Sequence, residues 1–193
     1  MMSEARALKA VSKYITLIRF YRARSSLRAF RNYYNEGILV PSFCWAELER
    51  PPLRPENELM REDLTAGFIV LIEPTREEEE FATHLILAIK DLTGLDLDPP
   101  EAVAIAIAEL RGIRHVLSDD RVALAVPHII ELKVEVLNSL AVLKEMAKAS
   151  LLRVKTLADF RQIVERFQAE ARERFSHEDV LEALRELSKF FGA

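Results

Sequence analysis

The sequence predicts an α/β protein of three layers, in which helices cover both faces of a central, mainly parallel sheet. Short apolar segments alternate with amphipathic segments along most of the chain. This alternation is typical of parallel sheets, because the chain must cross one face of the sheet to reach the next strand. Half of the 193 residues are apolar and 30 % are charged. These proportions fit a folded domain with a sizeable core.

Local signals mark where the individual strands and helices begin and end. Glycines and paired prolines set several ends, and Thr75 and Glu78 form a capping-box pattern at the start of a long helix. The predicted strands are 9–15, 38–40, 68–72, 115–118 and 132–137. The predicted helices are 16–35, 41–50, 56–65, 75–92, 101–111, 119–126 and 139–149.

The end of the chain follows a different pattern, because only helices are predicted beyond Leu152. The segments 156–175 and 176–191 are amphipathic, and the second starts with a pattern that resembles a capping box. We therefore expect a domain over 1–152 and a C-terminal helical extension over 153–193. The extension would cover the sheet or pair with a second subunit, so we also expect a homodimer.

The composition excludes several classes of protein. Cys44 is the single cysteine, which rules out an internal disulfide and a cysteine-based zinc site. The four histidines are too scattered for a zinc pattern. No apolar run approaches the roughly 18–20 residues of a membrane helix, and the first residues lack the apolar stretch of a signal peptide. We expect a cytoplasmic protein with no membrane segment.

The net charge of −4 hides a basic end on an acidic body. Residues 1–34 contain eight arginines and lysines, and Glu4 is their one acid. Two interpretations stay open from the sequence. The basic segment is an electrostatic footprint for nucleic acid, or it is a helix face whose charges pair with acids elsewhere in the chain.

Four acidic residues fall near the predicted carboxyl ends of strands. Glu47 lies in the helix after strand 38–40, Glu101 in the first turn of its helix, and Asp119 and Asp120 directly after strand 115–118. Ligands of open parallel sheets gather at this edge. Carboxylates without cysteine or paired histidine favour Mg²⁺ or Mn²⁺. Such ions can generate hydroxide and stabilise an in-line displacement at a phosphodiester.

Each acid also has an ordinary structural interpretation. Glu101 suits a helix N-terminus, and Asp119 suits an N-cap. Glu47 has Arg50 three residues later as a helical ion-pair partner. Taken singly, none of these acids defines a site, and the order of the four along the chain carries the argument.

That order resembles a PIN domain. Residues 100–109 and 116–121 are similar to the family's second half, where an acid opens an alanine-rich helix and a strand then ends in Thr/Ser-x-Asp. Residues 38–48 resemble the family's earlier strand and acid-bearing helix, and 132–149 its closing unit. The tail loosely resembles extended PIN-like proteins of prokaryotes. The resemblance implies a metal-dependent ribonuclease, often the toxin of a toxin–antitoxin pair, with RNA and an antitoxin-like protein as partners.

The resemblance also implies roles for individual residues. Glu47 matches the family's second acid, Glu101 the third and Asp120 the fourth, with Ser118 in the Thr/Ser position. Asp119 stands beside Asp120 as a further ligand. The implied metal ligands are therefore Glu47, Glu101, Asp119 and Asp120, and the implied catalytic set adds Ser118.

The family's first acid is missing from this chain. Lys13 stands where the family has an aspartate at the end of the first strand, and no aspartate precedes Asp63. A charged ammonium cannot ligate Mg²⁺ and repels a cation in the same cleft. We therefore predict that the Lys13 ammonium reaches the acidic cleft and replaces the charge of the metal.

Three functions stay open from the sequence. The first is a PIN-like ribonuclease that uses Mg²⁺ or Mn²⁺. The second is a degenerate PIN fold that binds RNA or a protein without cleavage. The third is a structural protein that assembles through its C-terminal helices. The position of the Lys13 side chain discriminates between the first two.

Overall fold

The protein contains a five-stranded sheet in which all neighbouring strands run parallel. The computed structural model describes residues 9–48 and 55–192. Its strands are β1 (Ala10–Ser12), β2 (Ile38–Pro41), β3 (Ile69–Ile72), β4 (His115–Leu117) and β5 (Glu135–Leu137). They are ordered β3-β2-β1-β4-β5. The predicted α/β class and parallel sheet are confirmed, and β1 lies in the middle.

Helices connect the strands and close the chain. None of the helices in the described ranges is long and apolar enough to cross a membrane. The helices are α1 (Tyr14–Arg22), α2 (Arg24–Tyr33), α3 (Ser42–Leu48), α4 (Glu56–Thr65), α5 (Arg76–Thr93), α6 (Pro99–Leu110), α7 (Arg121–Ile130), α8 (Ser139–Lys148), α9 (Leu157–Ala171) and α10 (His177–Phe191).

The central strands send alternate side chains into two separate cores. Ala10 and Leu117 face the core beneath α1, α2, α8, α9 and α10. Val11 and Val116 face the core beneath α5, α6 and α7. Both sets are completely buried, because successive side chains of a strand point to opposite faces and both faces are covered.

The C-terminal helices pack on the first of these cores. Phe167 of α9 is fully buried, and its ring centroid lies 5.0 Å from that of Phe20 in α1. Phe20 in turn stacks on Phe30 of α2 at 4.3 Å. Leu187 of α10 is also fully buried in this cluster. The extension therefore covers one face of the sheet, while its separation into a distinct domain at 152 stays a prediction.

Two predicted elements differ from the structure. The helix predicted over 16–35 is two helices, because the backbone of Ala23 leaves the helical region at ψ 69°. This break turns the chain so that Phe20 and Phe30 stack against each other. The first strand is shorter than predicted, since Lys13 is already the N-cap of α1. The other elements lie where the sequence predicts them, with ends shifted by a few residues.

His115, at the amino end of β4, has a buried ring whose Nδ1 has no hydrogen-bond partner among the described residues. Burial lowers its pKa below the ordinary 6.5, an effect opposed by Glu135 and Glu145 and reinforced by Arg114. The unfolded chain therefore takes up a proton first, and stability is lost as the pH falls below about 6.5. We expect His115→Leu to flatten this loss between about pH 7 and 5.5 in urea unfolding, with exposed His84→Leu as control. An unchanged pH slope would contradict the expectation.

Candidate acidic site

The candidate site lies at the carboxyl ends of β1 and β4. Ser12 and Leu117 are paired in the parallel register, so Lys13 and Ser118 leave the sheet side by side. Glu101 reaches the same edge from the first turn of α6. The fold thus brings together segments that are far apart in sequence, and Lys13 and Glu101 are separated by 88 residues.

Lys13 and Glu101 form the central ion pair of the site. The Lys13 Nζ lies 2.9 Å from each of the two Glu101 carboxylate oxygens, and 3.8 Å from the Asp98 carboxylate. The side chains are 13 % and 4 % exposed, so the pair is largely removed from water. The predicted contact between Lys13 and the acidic cleft is confirmed. Lys13 gives α1 no side-chain cap, so its side chain serves the ion pair instead.

Burial dominates the electrostatics of Glu101. Desolvation raises the pKa of its carboxyl above the ordinary 4.5, although the hydrogen bond and the charge of Lys13 lower it. The negative charges of Asp98 and Asp120 raise this pKa further. Lys13 therefore favours the charged form of Glu101 against the effect of burial, and Asp120 is close enough to act on it.

Asp119 faces a second cation, which the sequence analysis did not assign to the site. Its carboxylate forms an ion pair with Arg19 of α1 and accepts a hydrogen bond from the Thr16 hydroxyl at 2.9 Å. It also accepts from the backbone N–H of Ser139 at 2.8 Å and from the Ser139 hydroxyl at 2.9 Å. Both Asp119 oxygens are thus engaged by α1 and the start of α8.

Asp120, and not Asp119, is the N-cap of α7. Its Oδ1 accepts a hydrogen bond from the backbone N–H of Ala123 at 2.9 Å, and its own N–H donates to the Ser118 hydroxyl at 3.2 Å. The helix prediction that began at Asp119 was therefore wrong by two residues. The reason is local, because the hydrogen bond from the Asp120 N–H to the Ser118 hydroxyl holds 118–120 outside the helix, which begins at Arg121.

Glu47 lies in α3, the helix that follows β2. Its side chain lies outside the part of the structure that is described, and so does its suggested partner Arg50. Its role as a metal ligand stays a prediction based on the family pattern.

Arg19 links the site to the C-terminal extension. Its guanidinium contacts Asp119 through one terminal nitrogen, and its other terminal nitrogen lies 2.6 Å from the carboxylate of Glu173. Thr16, Arg19, Ser139 and Glu173 are the residues that sequence reasoning missed. The run of arginines near the N-terminus could have indicated Arg19, but it does not show which arginine pairs with which acid.

Most of the basic segment is used for internal pairing. Arg22 pairs with Glu56, and Arg31 donates to Asp63 at 2.7 Å. Together with Lys13 and Arg19, these contacts favour the interpretation of a helix face that pairs with acids elsewhere. Lys9, Arg24 and Arg28 are the exceptions among the described residues, since none of them makes an ion pair there.

The structure is a three-layer α/β fold with acids at the carboxyl edge of a parallel sheet, the edge where ligands of such sheets bind. A family model described as PIN domain matches residues 10–189. The chain therefore belongs to the PIN-domain family. A comparison with curated proteins found no match.

PIN domains generally use divalent metal ions, but the described donor atoms do not fit such an ion here. No group of three or more His, Cys, Asp or Glu side chains in the described ranges is placed to hold a metal. Lys13 occupies both Glu101 oxygens, and Arg19, Thr16 and Ser139 occupy Asp119. The Lys13 ammonium, which lies between Glu101 and Asp98, repels a second cation at the same place.

Proposed function

We propose that this protein is a PIN-domain protein that binds RNA without metal-dependent cleavage, and that Lys13 and Arg19 replace the metal charge inside the acidic cleft rather than bind the RNA there. The observation that carries the proposal is the Lys13 Nζ at 2.9 Å from both Glu101 oxygens. An ammonium at that place neutralises the buried carboxylate without a metal ion. The same ammonium repels Mg²⁺ or Mn²⁺ from the cleft.

The second candidate is the metal-dependent ribonuclease that the family pattern implies. Asp98 and Asp120 act electrostatically on Glu101, and this favours a site that would attract a divalent ion if Lys13 moved away. A toxin role, an antitoxin-like partner, a homodimer and a cytoplasmic location belong to the same family-based expectation.

Restoring the family's aspartate tests the proposal. In a chelator, we expect Lys13→Asp to lower the free energy of unfolding by about 3 kcal/mol, because Glu101 loses its partner and gains a repelling neighbour. Mn²⁺ should recover much of this loss, since a saturating ligand at about 100 times its Kd adds roughly 2.7 kcal/mol. The wild type should show no Mn²⁺-dependent stabilisation. Thermal melts and calorimetric titration of Mn²⁺ measure these differences.

Lys13→Asn is the matched control for that experiment. Asparagine removes the ammonium and offers α1 an N-cap as aspartate does, but it adds no charged ligand. It should be destabilised without a gain from Mn²⁺. The proposal fails if Mn²⁺ stabilises the wild type as much as Lys13→Asp, or if the wild type cleaves single-stranded RNA in Mn²⁺ but not in a chelator.

A further inference from the structure

We propose that a cleft at the far end of α1 binds a phosphate group through Arg24 and Arg172. The cleft has a volume of about 500 Å³ and lies between α1, α2, α4 and the end of α9. It is separate from the acidic site, which lies at the start of α1, so the proposal does not depend on whether that site cleaves RNA. Its lining residues are Tyr21, Arg22, Arg24, Pro55, Glu56, Glu170 and Arg172.

The charges that line the cleft leave a positive excess. Arg22 is paired with Glu56, and these two charges cancel. Glu170 accepts hydrogen bonds from the N–H and the hydroxyl of Ser25, at 3.0 and 2.9 Å, and so satisfies the start of α2. Arg24 and Arg172 are exposed and make no side-chain ion pair or hydrogen bond within the described residues. The three arginines and two glutamates leave one positive charge, which matches one phosphodiester.

Arg24 stands where local electrostatics disfavours a cation. It is the first residue of α2, and the first turn of this helix contains no acid. The partial positive charge of a helix N-terminus repels a guanidinium there. Helix stability alone therefore does not explain an arginine at this place. An anion bound in the cleft would interact favourably with both the Arg24 guanidinium and the N-terminus of α2.

Arg172 adopts a backbone conformation that favours glycine and that Glu131 and Ser150 also adopt. It follows α9 in the left-handed region, with φ of 57°, a conformation that glycine adopts at the ends of helices without strain. A strained residue that keeps a side chain points to a role for that side chain. The Arg172 side chain lines the same cleft as Arg24, so two cations with unfavourable local positions meet at one place.

Two guanidinium groups can hold a phosphate with several charge-assisted hydrogen bonds. The phosphate could belong to a nucleic-acid backbone or be free in solution, and both share the chemistry that the arginines recognise. The acidic site cannot attract a phosphate, because its acids outnumber its cations. The acids are Glu101, Asp119 and Asp120, and the cations are Lys13 and Arg19. The cleft thus offers a backbone phosphate an attractive position about 14 Å along α1 from Lys13.

The test uses the full chain with two probes, inorganic phosphate by calorimetry and a fluorescent single-stranded RNA of mixed sequence by anisotropy. The variants are Arg24→Gln and Arg172→Gly, and glycine at 172 also relieves the backbone strain, which protects the fold. Arg28→Gln is the matched control, because Arg28 is an exposed, unpaired arginine of the same helix that does not line the cleft. Each cleft variant should weaken binding about tenfold, and the control should not.

The outcomes separate the sources of the phosphate. Loss of RNA binding in both cleft variants, with a shallower salt dependence, supports a backbone phosphate. Loss of inorganic phosphate binding alone supports a free phosphate. An equal loss in Arg28→Gln would show a general charge effect and overturn the proposal. Wild-type affinity in both cleft variants overturns it too, as does binding of an acidic peptide without binding of either phosphate probe.

Discussion

Replacing Lys13 with methionine is expected to lower the free energy of unfolding by about 3 kcal/mol at neutral pH. The replacement keeps a long apolar side chain but leaves the Glu101 carboxylate, which is 4 % exposed, without its ammonium partner. Breaking a buried pair costs far more than breaking a surface pair, because the remaining charge loses both water and partner. Urea unfolding of the two proteins measures the difference.

The loss of stability in Lys13→Met should depend on pH, and the pKa of Glu101 determines whether the loss grows or shrinks as the pH rises. Burial already raises that pKa above 4.5, and the loss of Lys13 removes the largest opposing influence. A carboxyl with a raised folded pKa loses stability as the pH rises from the unfolded value through the folded one. The free energy of unfolding of the variant should therefore fall below that of the wild type by the largest amount at high pH, and by the smallest amount below about pH 4.5.

Two controls make the result specific to the buried pair. Arg76→Met breaks the exposed pair between Arg76 and Glu80, whose side chains are 90 % and 58 % exposed, and should change stability by less than about 0.5 kcal/mol. The double variant Lys13→Met with Glu101→Met removes both charges and should recover most of the loss. A Lys13→Met protein that is as stable as the wild type at all pH values would show that the pair contributes nothing.

Truncating Phe167 to alanine should destabilise the protein by about 3–5 kcal/mol. Phe167 is fully buried between Phe20 and Phe175, with ring centroids at 5.0 and 5.9 Å. Its removal leaves a cavity at the contact of α9 with α1. The measurement is again urea unfolding, and it asks whether the C-terminal extension is part of the cooperative core.

Phe190→Ala is the matched control for the aromatic truncation. Phe190 lies on α10 and is 50 % exposed, so its loss should cost less than about 1 kcal/mol. If Phe167→Ala is also nearly neutral, or unfolds in two steps of which only one is affected, then α9 is a separate unit. A single transition with the full loss would mean that one core unites both parts of the chain.

The sequence predicts the strands and helices that position this site, because apolar periodicity and capping patterns are local signals. Apolar segments of strand length, alternating with helices, predict the parallel sheet and therefore the edge at which the acids lie. The capping box of Thr75 and Glu78 predicts the start of α5, and both of its hydrogen bonds are present. Lys13 was found by its place in the family pattern, and its ammonium lies where that place predicts.

Other features followed from contacts that no local pattern encodes. The break at Ala23 occurs without glycine or proline, and it is explained by the packing of Phe20 on Phe30. The choice between Asp119 and Asp120 as N-cap depends on one turn, which propensities do not resolve.

The sequence by itself determined the succession of strands and helices along the chain. It also indicated which acids lie at the carboxyl edge of the sheet. Only the tertiary structure decided which donor or cation each acid contacts. Thr16 and Asp119 are separated by 103 residues and Ser25 and Glu170 by 145, so these partners depend on strand register and helix packing. Side-chain pairing over such distances follows from the folded arrangement of the backbone, whereas periodicity and capping act within a few residues.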